Sequence, residues 1–287
     1  MNKDKSGKLF PCATPIGNLK DITERAVEIL KKVDLIAVED TRRTAKLLKH
    51  YGINTKMISY HEHNEKKRAK ELIAKLKQGL DIALVSDAGT PGISDPGYEI
   101  INMAIENELK VIPIPGANAA LLALTASGLA MNKFVFEGFL PRKGKEREEA
   151  LNIIKKEERT IIIYESPYRV LDTLKDLKKK ISDRKIAFVR EITKVHEEKL
   201  YGSAQRLIKI LEKREIKGEI VLVIEGRSTV AEEKEGWEIL SIVEHVELLM
   251  KNGYTKKKAI KKVANLRNLA KSDVYEKAIV INAKDYL

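Results

Sequence analysis

The sequence predicts an α/β fold built as two compact α/β domains with a small helical appendage. Three observations carry that expectation. Short β-branched runs alternate with amphipathic helical stretches through the first 115 residues, a Pro/Gly break at 113–118 precedes a second such series, and a charged stretch leads into a purely helical, basic end. The expected boundaries are 1–115 for the first domain, 116–226 for the second, 227–237 for a linker and 238–287 for the appendage.

In the first domain, residues 9–13 are an apolar run that ends at the turn-forming TPIGN. Asp21 with Glu24 makes a capping box, and Ile22, Ala26, Val27, Ile29 and Leu30 supply the apolar face of the helix that follows. DLIAV (34–38) predicts a buried strand, followed by a helix over 41–50 that stops at Gly52. A strand near 56–60, a helix near 65–77, the strand DIALV (81–85), a helix near 98–107 and a strand at 111–114 complete the series. Such alternation predicts a mainly parallel sheet covered on both faces, with ligands gathering beyond the carboxyl ends of its strands.

Beyond the hinge come an Ala/Leu-rich helix, a strand near 134–136, a charged loop at 141–147, a strand at 160–164 and a helix after Pro167. A strand at 186–190, a helix near 204–213 and a strong strand at 219–224 follow. The appendage has a helical pattern over 237–250 and a helix capped by Thr255 with Ala259, Ile260 and Val263 inward. A last helix is capped by Ser272 and carries Val274, Tyr275, Ala278 and Ile279.

Hydrophobic residues at 43% supply cores for 287 residues, while charged residues reach 33%. Lys and Arg number 54 against 42 Asp and Glu, a net charge of +12 that favours a polyanion such as RNA. Aromatics at 5% argue against a dense set of base-stacking platforms. The single cysteine, Cys12, excludes an internal disulfide, a CxxC redox motif and a cysteine-zinc site. The charged first eight residues do not form a signal peptide and no stretch is apolar enough to span a bilayer, so the cytoplasm is the expected location.

The segment richest in chemistry is SDAGTPGISDPG (86–97), which leaves a buried strand at the functional edge of the sheet. Its three glycines permit positive φ and close backbone approach, while its prolines and Asp/Ser acceptors restrain its path. Such a loop presents backbone N–H and C=O groups to a polar ligand at little ordering cost. The loop at 13–19 also follows a strand and precedes a capped helix, which predicts a place beside the same crevice; it lacks the spaced glycines of a dinucleotide fingerprint. GFLPRKGK (138–145) has the wrong glycine spacing for a phosphate-binding loop, and neither HExxH nor a nucleophile elbow occurs. Arg42, Arg43 and the basic 142–147 loop suit phosphate contacts or a solvated surface equally well. Eight basic and no acidic residues lie between Lys251 and Lys271.

At these loops the chain resembles the tetrapyrrole-methylase superfamily, and within it the enzymes that 2′-O-methylate small-subunit ribosomal RNA. The resemblance rests on ATPIGNLKDIT (13–23), VEDTRRTAKLLKHYGI (38–53), SYHEHNE (59–65), LVSDAGTPGISDPG (84–97), VIPIPGANA (111–119), FEGFLPRKGKER (136–147), YESPYR (164–169), RE (190–191) and GEIVLVIEG (218–226). These run in the expected order over most of residues 8–226. Ala117-Asn118 departs from the usual Pro-Ser after the hinge glycine, and 265–268 from a glycine-containing turn in the appendage.

The resemblance implies a tetrapyrrole-methylase-like (class III methyltransferase) fold with a mixed second sheet, S-adenosylmethionine in the cleft between the two domains, and a homodimer. It further implies transfer to the ribose 2′-hydroxyl of a decoding-region cytidine in 16S rRNA, customarily numbered 1402. No metal is implied. Cofactor contacts are expected at Pro15, Asp87, Ala88, Gly89, Gly92, Ile93 and Asp95, with the hinge residues Pro115, Gly116 and Ala117 nearby; the likeness adds Tyr164, Glu165 and Ser166. A ribose hydroxyl is a weak nucleophile whose proton needs an acceptor. Glu39, Asp40, His61, Asp87 and Glu165 are the available groups, with Asp40 and Glu165 preferred on the substrate side. RNA contacts are expected at Arg42, Arg43, Arg142, Lys143, Lys145 and Arg147. In the appendage they are expected at Lys256, Lys257, Lys258, Lys261, Lys262, Arg267 and Lys271. The alternatives are a tetrapyrrole or modified-protein methylase of the same fold and, in another class, a non-enzymatic ribosome-binding module.

Overall fold

The computed structural model describes residues 6–228 and 240–281. The chain divides into two compact units, Met1–Gly226 and Arg227–Leu287.

The first unit contains two five-stranded sheets. Strands β1 (Lys8–Pro11), β2 (Leu35–Val38), β3 (Met57–Ser59), β4 (Ile82–Val85) and β5 (Lys110–Val111) form an all-parallel sheet in the order β3-β2-β4-β1-β5. Helices α1 (Glu24–Lys32), α2 (Thr41–His50), α3 (Glu65–Lys77) and α4 (Tyr98–Glu106) connect them. The period-two alternation of the strands sorts their side chains into two cores. Leu9, Ala37, Ile82 and Leu84 pack with Leu72, Leu76 and Ile100 of α3 and α4, whereas Phe10, Ile36, Val38, Ala83 and Val85 pack with Ala26, Leu30 and Leu48 of α1 and α2. Both faces are therefore dry, and all four residues of β4 are buried.

Helix α5 (Ala119–Ser127) leads into the second sheet, whose order is β6-β7-β10-β8-β9. Its strands are β6 (Phe134–Phe139), β7 (Thr160–Glu165), β8 (Ile186–Arg190), β9 (Glu198–Gly202) and β10 (Ile220–Ile224). β6 and β7 are parallel and the remaining pairs antiparallel, which makes the sheet mixed. Helices α6 (Gly144–Lys156), α7 (Val170–Lys180) and α8 (Ala204–Leu211) cover one face; α5 covers the other.

Several local expectations are corrected. Thr23, not Asp21, caps α1: its hydroxyl accepts from Ala26 N–H, while Asp21 ends a preceding 3-10 turn. The charged loop 141–147 is shorter than expected, because α6 begins at Gly144, and β9 was not anticipated.

In the second unit, α9 (Ile242–Lys251), α10 (Lys256–Arg267) and α11 (Lys271–Lys277) close around Val246, Leu249, Ile260, Val263 and Val274. A capping box of Ser241 and Glu244 starts α9; Trp237, where the helical pattern was expected to begin, and most of the expected linker lie outside the described residues. Thr255 holds the N-cap position of α10 without a side-chain bond. Ala270, not Ser272, precedes α11; Ser272 is already in its first turn.

Candidate active site

β4 is the central strand of the parallel sheet, and the loop leaving its carboxyl end is the 86–97 segment. The two loops expected to share a crevice are hydrogen-bonded to each other: Thr14 N–H donates to Gly89 C=O at 2.8 Å and Gly89 N–H returns to Thr14 C=O at 3.0 Å. The Thr14 hydroxyl donates to Ser86 C=O, and the Thr90 hydroxyl to Ala117 C=O, which ties the loop to the hinge. Gly89 has φ +86°, and a Cβ there would lie 3.3 Å from Ile16 Cγ2. Glycine thus supplies both the backbone conformation and the clearance.

A second restraint comes from α2. The Asp87 carboxylate accepts from Asp40 N–H at 3.0 Å and from Arg43 Nη1 at 3.2 Å. Asp87 is thereby tied to α2, and Arg43, whose side chain is 71% exposed, stands at the cavity wall.

The cavity measures ≈ 360 Å³, within the range of small-molecule sites. From the first sheet it receives Ile16, Glu39 and the loop residues Asp87–Thr90 and 93–95. The second sheet contributes Phe139 at the end of β6, Tyr164–Pro167 at the end of β7, and Gly218–Val221 at the start of β10. β7 and β10 are antiparallel, so the end of one adjoins the start of the other.

Of the expected cofactor residues, Asp87, Ala88, Gly89, Ile93, Asp95, Tyr164, Glu165 and Ser166 line this cavity. Pro15, Gly92, Pro115, Gly116 and Ala117 do not; Gly116 backs onto Ala13, and Ala117 acts through the Thr90 bond. Sequence reading missed Phe139, Asn118 and the 218–221 edge. GEIV does mark a strand start, but only the antiparallel pairing turns that start toward the cavity.

Five carboxylates, those of Glu39, Asp87, Asp95, Glu165 and Glu219, belong to residues that line the cavity. Burial, reinforced by Glu39 and opposed by the Ser86 hydroxyl, pushes Asp95 up to about 6. Glu39 is also raised, first by burial and then by the charge of Asp87. The site is an anionic enclosure that favours a cationic guest.

Both carboxylates preferred for substrate duties have partners within the protein. Asp40 caps α2: one oxygen accepts from Arg42 N–H, the other from the Arg42 guanidinium, and these bonds hold its carboxyl below the usual range. Glu165 is fully buried. It accepts from Ser166 N–H at 2.8 Å and from the Thr173 hydroxyl at 2.6 Å, with Arg169 Nε at 3.4 Å. A carboxylate held by these three partners braces the β7 end. His61 lies outside the cavity lining, with Nε2 against the Asn64 amide.

Arg147 has partners within the protein too. It is 9% exposed, with its guanidinium bonded to Asp176, the Thr173 hydroxyl and Pro141 C=O. Arg142, Lys143 and Lys145 are exposed, and Arg42 is paired with Asp40. In the second unit Lys257, Lys258, Lys261 and Lys271 are exposed. Lys256 donates to Ile281 C=O, Lys262 to the Tyr254 hydroxyl and Arg267 to Leu240 C=O, so these three hold their own fold together.

A parallel sheet, a mixed sheet and a glycine-loop cavity between them define the class. The Tetrapyrrole (Corrin/Porphyrin) Methylases profile matches residues 9–208, and the chain belongs to that family. It is 50% identical over 276 residues to ribosomal RNA small subunit methyltransferase I of Halalkalibacterium halodurans, covering 96% of each chain. The Bacillus subtilis protein of the same name is 48% identical over 276 residues, covering 96% of this chain and 94% of its own. Among solved structures, uroporphyrin III C-methyltransferase from Thermus thermophilus superposes with a TM-score of 0.56 at 14% identity, over 76% of this chain and 97% of that one. At that identity the likeness shows the fold alone.

Proposed function

We propose that this protein is an S-adenosylmethionine-dependent methyltransferase that modifies the ribose 2′-hydroxyl of a cytidine in the 16S rRNA of the small ribosomal subunit. Near-full-length identity to ribosomal RNA small subunit methyltransferases supports the substrate class. The observation that carries the chemistry is the acidic cavity closed by the 86–97 loop.

The residues fit the cofactor. Its sulfonium and ammonium charges suit an enclosure of Glu39, Asp87, Asp95 and Glu219, and its polar edges suit the exposed backbone of a stiff glycine loop. When bound, the cofactor supplies an electrophilic methyl group, which a correctly placed oxygen attacks in line. The protein's tasks are to orient that oxygen, exclude water and take up its proton. Asp95 and Glu39 both line the cavity with raised pKa values, and they replace Asp40 and Glu165 as the proposed proton acceptors. The exposed cations Arg142, Lys143 and Lys145 and the exposed lysines Lys257, Lys258, Lys261 and Lys271 of the second unit are assigned to phosphate attraction. A cytoplasmic homodimer completes the reading; among the described residues no helix is long and apolar enough to cross a membrane.

Gly89→Val tests the cofactor assignment. A β-branched residue at φ +86°, with its Cβ 3.3 Å from Ile16, forces the loop to shift. Calorimetric titration is expected to show S-adenosylmethionine affinity lowered at least about tenfold in a folded variant, a cost of about 1.4 kcal/mol. Parental affinity removes Gly89 from the site.

A further inference from the structure

One aromatic side chain at the cavity is left without a task by this reading. Phe139 lines the cavity yet is 54% exposed. Its placement comes from a β-bulge: Phe136 pairs with Ile162 and Gly138 with Ile163, leaving Glu137 as the extra residue. An unbroken strand alternates faces, so residues 136 and 139 would point oppositely. One inserted residue reverses that parity and brings Phe139 to the side of Phe136 and Tyr164. Tyr164 then meets both rings edge-on, at centroid distances of 4.9 Å to Phe136 and 5.7 Å to Phe139. Gly138, at φ +63°, makes the bulge possible and leaves room for Ser94 Oγ, which would lie 3.3 Å from a Cβ there.

The chain beyond Phe139 is held on both sides. Arg169 donates to Leu140 C=O at 2.6 Å, and Arg147 donates to Pro141 C=O at 3.0 Å while bonded to Asp176 and Thr173. Immediately after this pinned stretch come the exposed Arg142 and Lys143. Arg142 is three residues and Lys143 four from Phe139, so the chain keeps this pair of exposed cations within roughly 10–14 Å of the ring's residue. A flat face for a base next to positive charge for its backbone is the arrangement that captures an unstacked nucleotide.

Resting on the proposed RNA substrate, we infer that Phe139 is the stacking platform for the target nucleobase: it receives the base of the nucleotide whose ribose is methylated and so fixes where the 2′-hydroxyl enters the cavity. Arg147 and Arg169 are positioning residues that hold the platform. The rival guest for the ring is the cofactor's adenine, and the two are separable because they alter different constants.

The test compares Phe139→Ala, Phe139→Leu and Phe139→Tyr in the full-length protein, with Phe134→Ala, at the far end of the same strand, as control. Steady-state methylation of intact, unmodified small subunits gives KM and kcat, and calorimetry gives S-adenosylmethionine affinity. Stacking predicts a KM for subunits raised about tenfold in the Ala and Leu variants, restored by Tyr to within about threefold, with cofactor affinity within twofold of parental. Because Leu fills the volume but cannot stack, the Leu–Tyr contrast decides even where the Ala variant fails to fold. A parental KM for Leu, or cofactor affinity falling in step with KM, overturns the inference alone. A parent that leaves subunits unmethylated overturns the substrate reading, and this inference with it.

Discussion

Asp95 pays for its place in the cavity wall. In the folded protein its pKa is about 6, against 3.8 for the free side chain, because burial and the charges of Glu39, Asp87 and Glu219 oppose ionisation. A carboxyl with a raised folded pKa contributes most to stability below its unfolded value, and that contribution is lost as pH rises through the folded pKa. Above pH 6 the parent therefore carries the full cost, held by solvent screening at this partly exposed group to on the order of 1 kcal/mol. Asp95→Asn is expected to melt higher than the parent at pH 7.5, the gap closing as pH falls toward 4. A pH-independent gap, or a less stable variant at pH 7.5, contradicts the electrostatic account. At this scale the loop residues were legible because glycine, proline and aspartate crowded after a buried strand have little use except to shape a stiff, polar loop. The burial of Arg147 was not: it sits in the charged run GKEREE, and only the meeting of α6, α7 and β7 buries it, with Glu165, against Thr173.

The elements of the parallel sheet were readable because each strand is buried on both faces and each connecting helix shows one apolar stripe. β9 escaped since EKLYG alternates without a strong apolar face and lies at a sheet edge. α6 was hidden by its first turns, GKEREE, where charge masks the period that Leu151 and Ile154 reveal. In the second unit the basic run resolves into two kinds of lysine: Lys256 and Lys262 bond within the unit, while Lys257, Lys258 and Lys261 project outward from α10. Changing Lys257, Lys258 and Lys261 together to Gln is expected to weaken subunit binding. It should also flatten the salt dependence by roughly 0.7–0.9 in log–log slope for each phosphate that a lysine no longer neutralises. Filter binding across a salt series reads both; an unchanged slope makes this helix a structural element only.

At the scale of the molecule, neither sheet makes the site alone. The first supplies the stiff loop and the carboxylates; the second supplies the aromatic wall and the 218–221 edge. That division explains why the 86–97 loop was recognisable from a local motif while the 218–221 edge was not. Strand order and the antiparallel β7–β10 pairing are long-range facts that no short stretch encodes. The fold itself is shared with a uroporphyrin methylase, so the fold does not choose among RNA, tetrapyrrole and protein acceptors. Ribose methylation on the small subunit leaves a product that can be mapped. Purified protein, S-adenosylmethionine and unmodified small subunits should yield one methylated cytidine whose 3′ phosphodiester resists alkaline cleavage, because the 2′-hydroxyl is blocked. A methyl group on the base, or transfer to a tetrapyrrole with none to the subunit, would contradict the account.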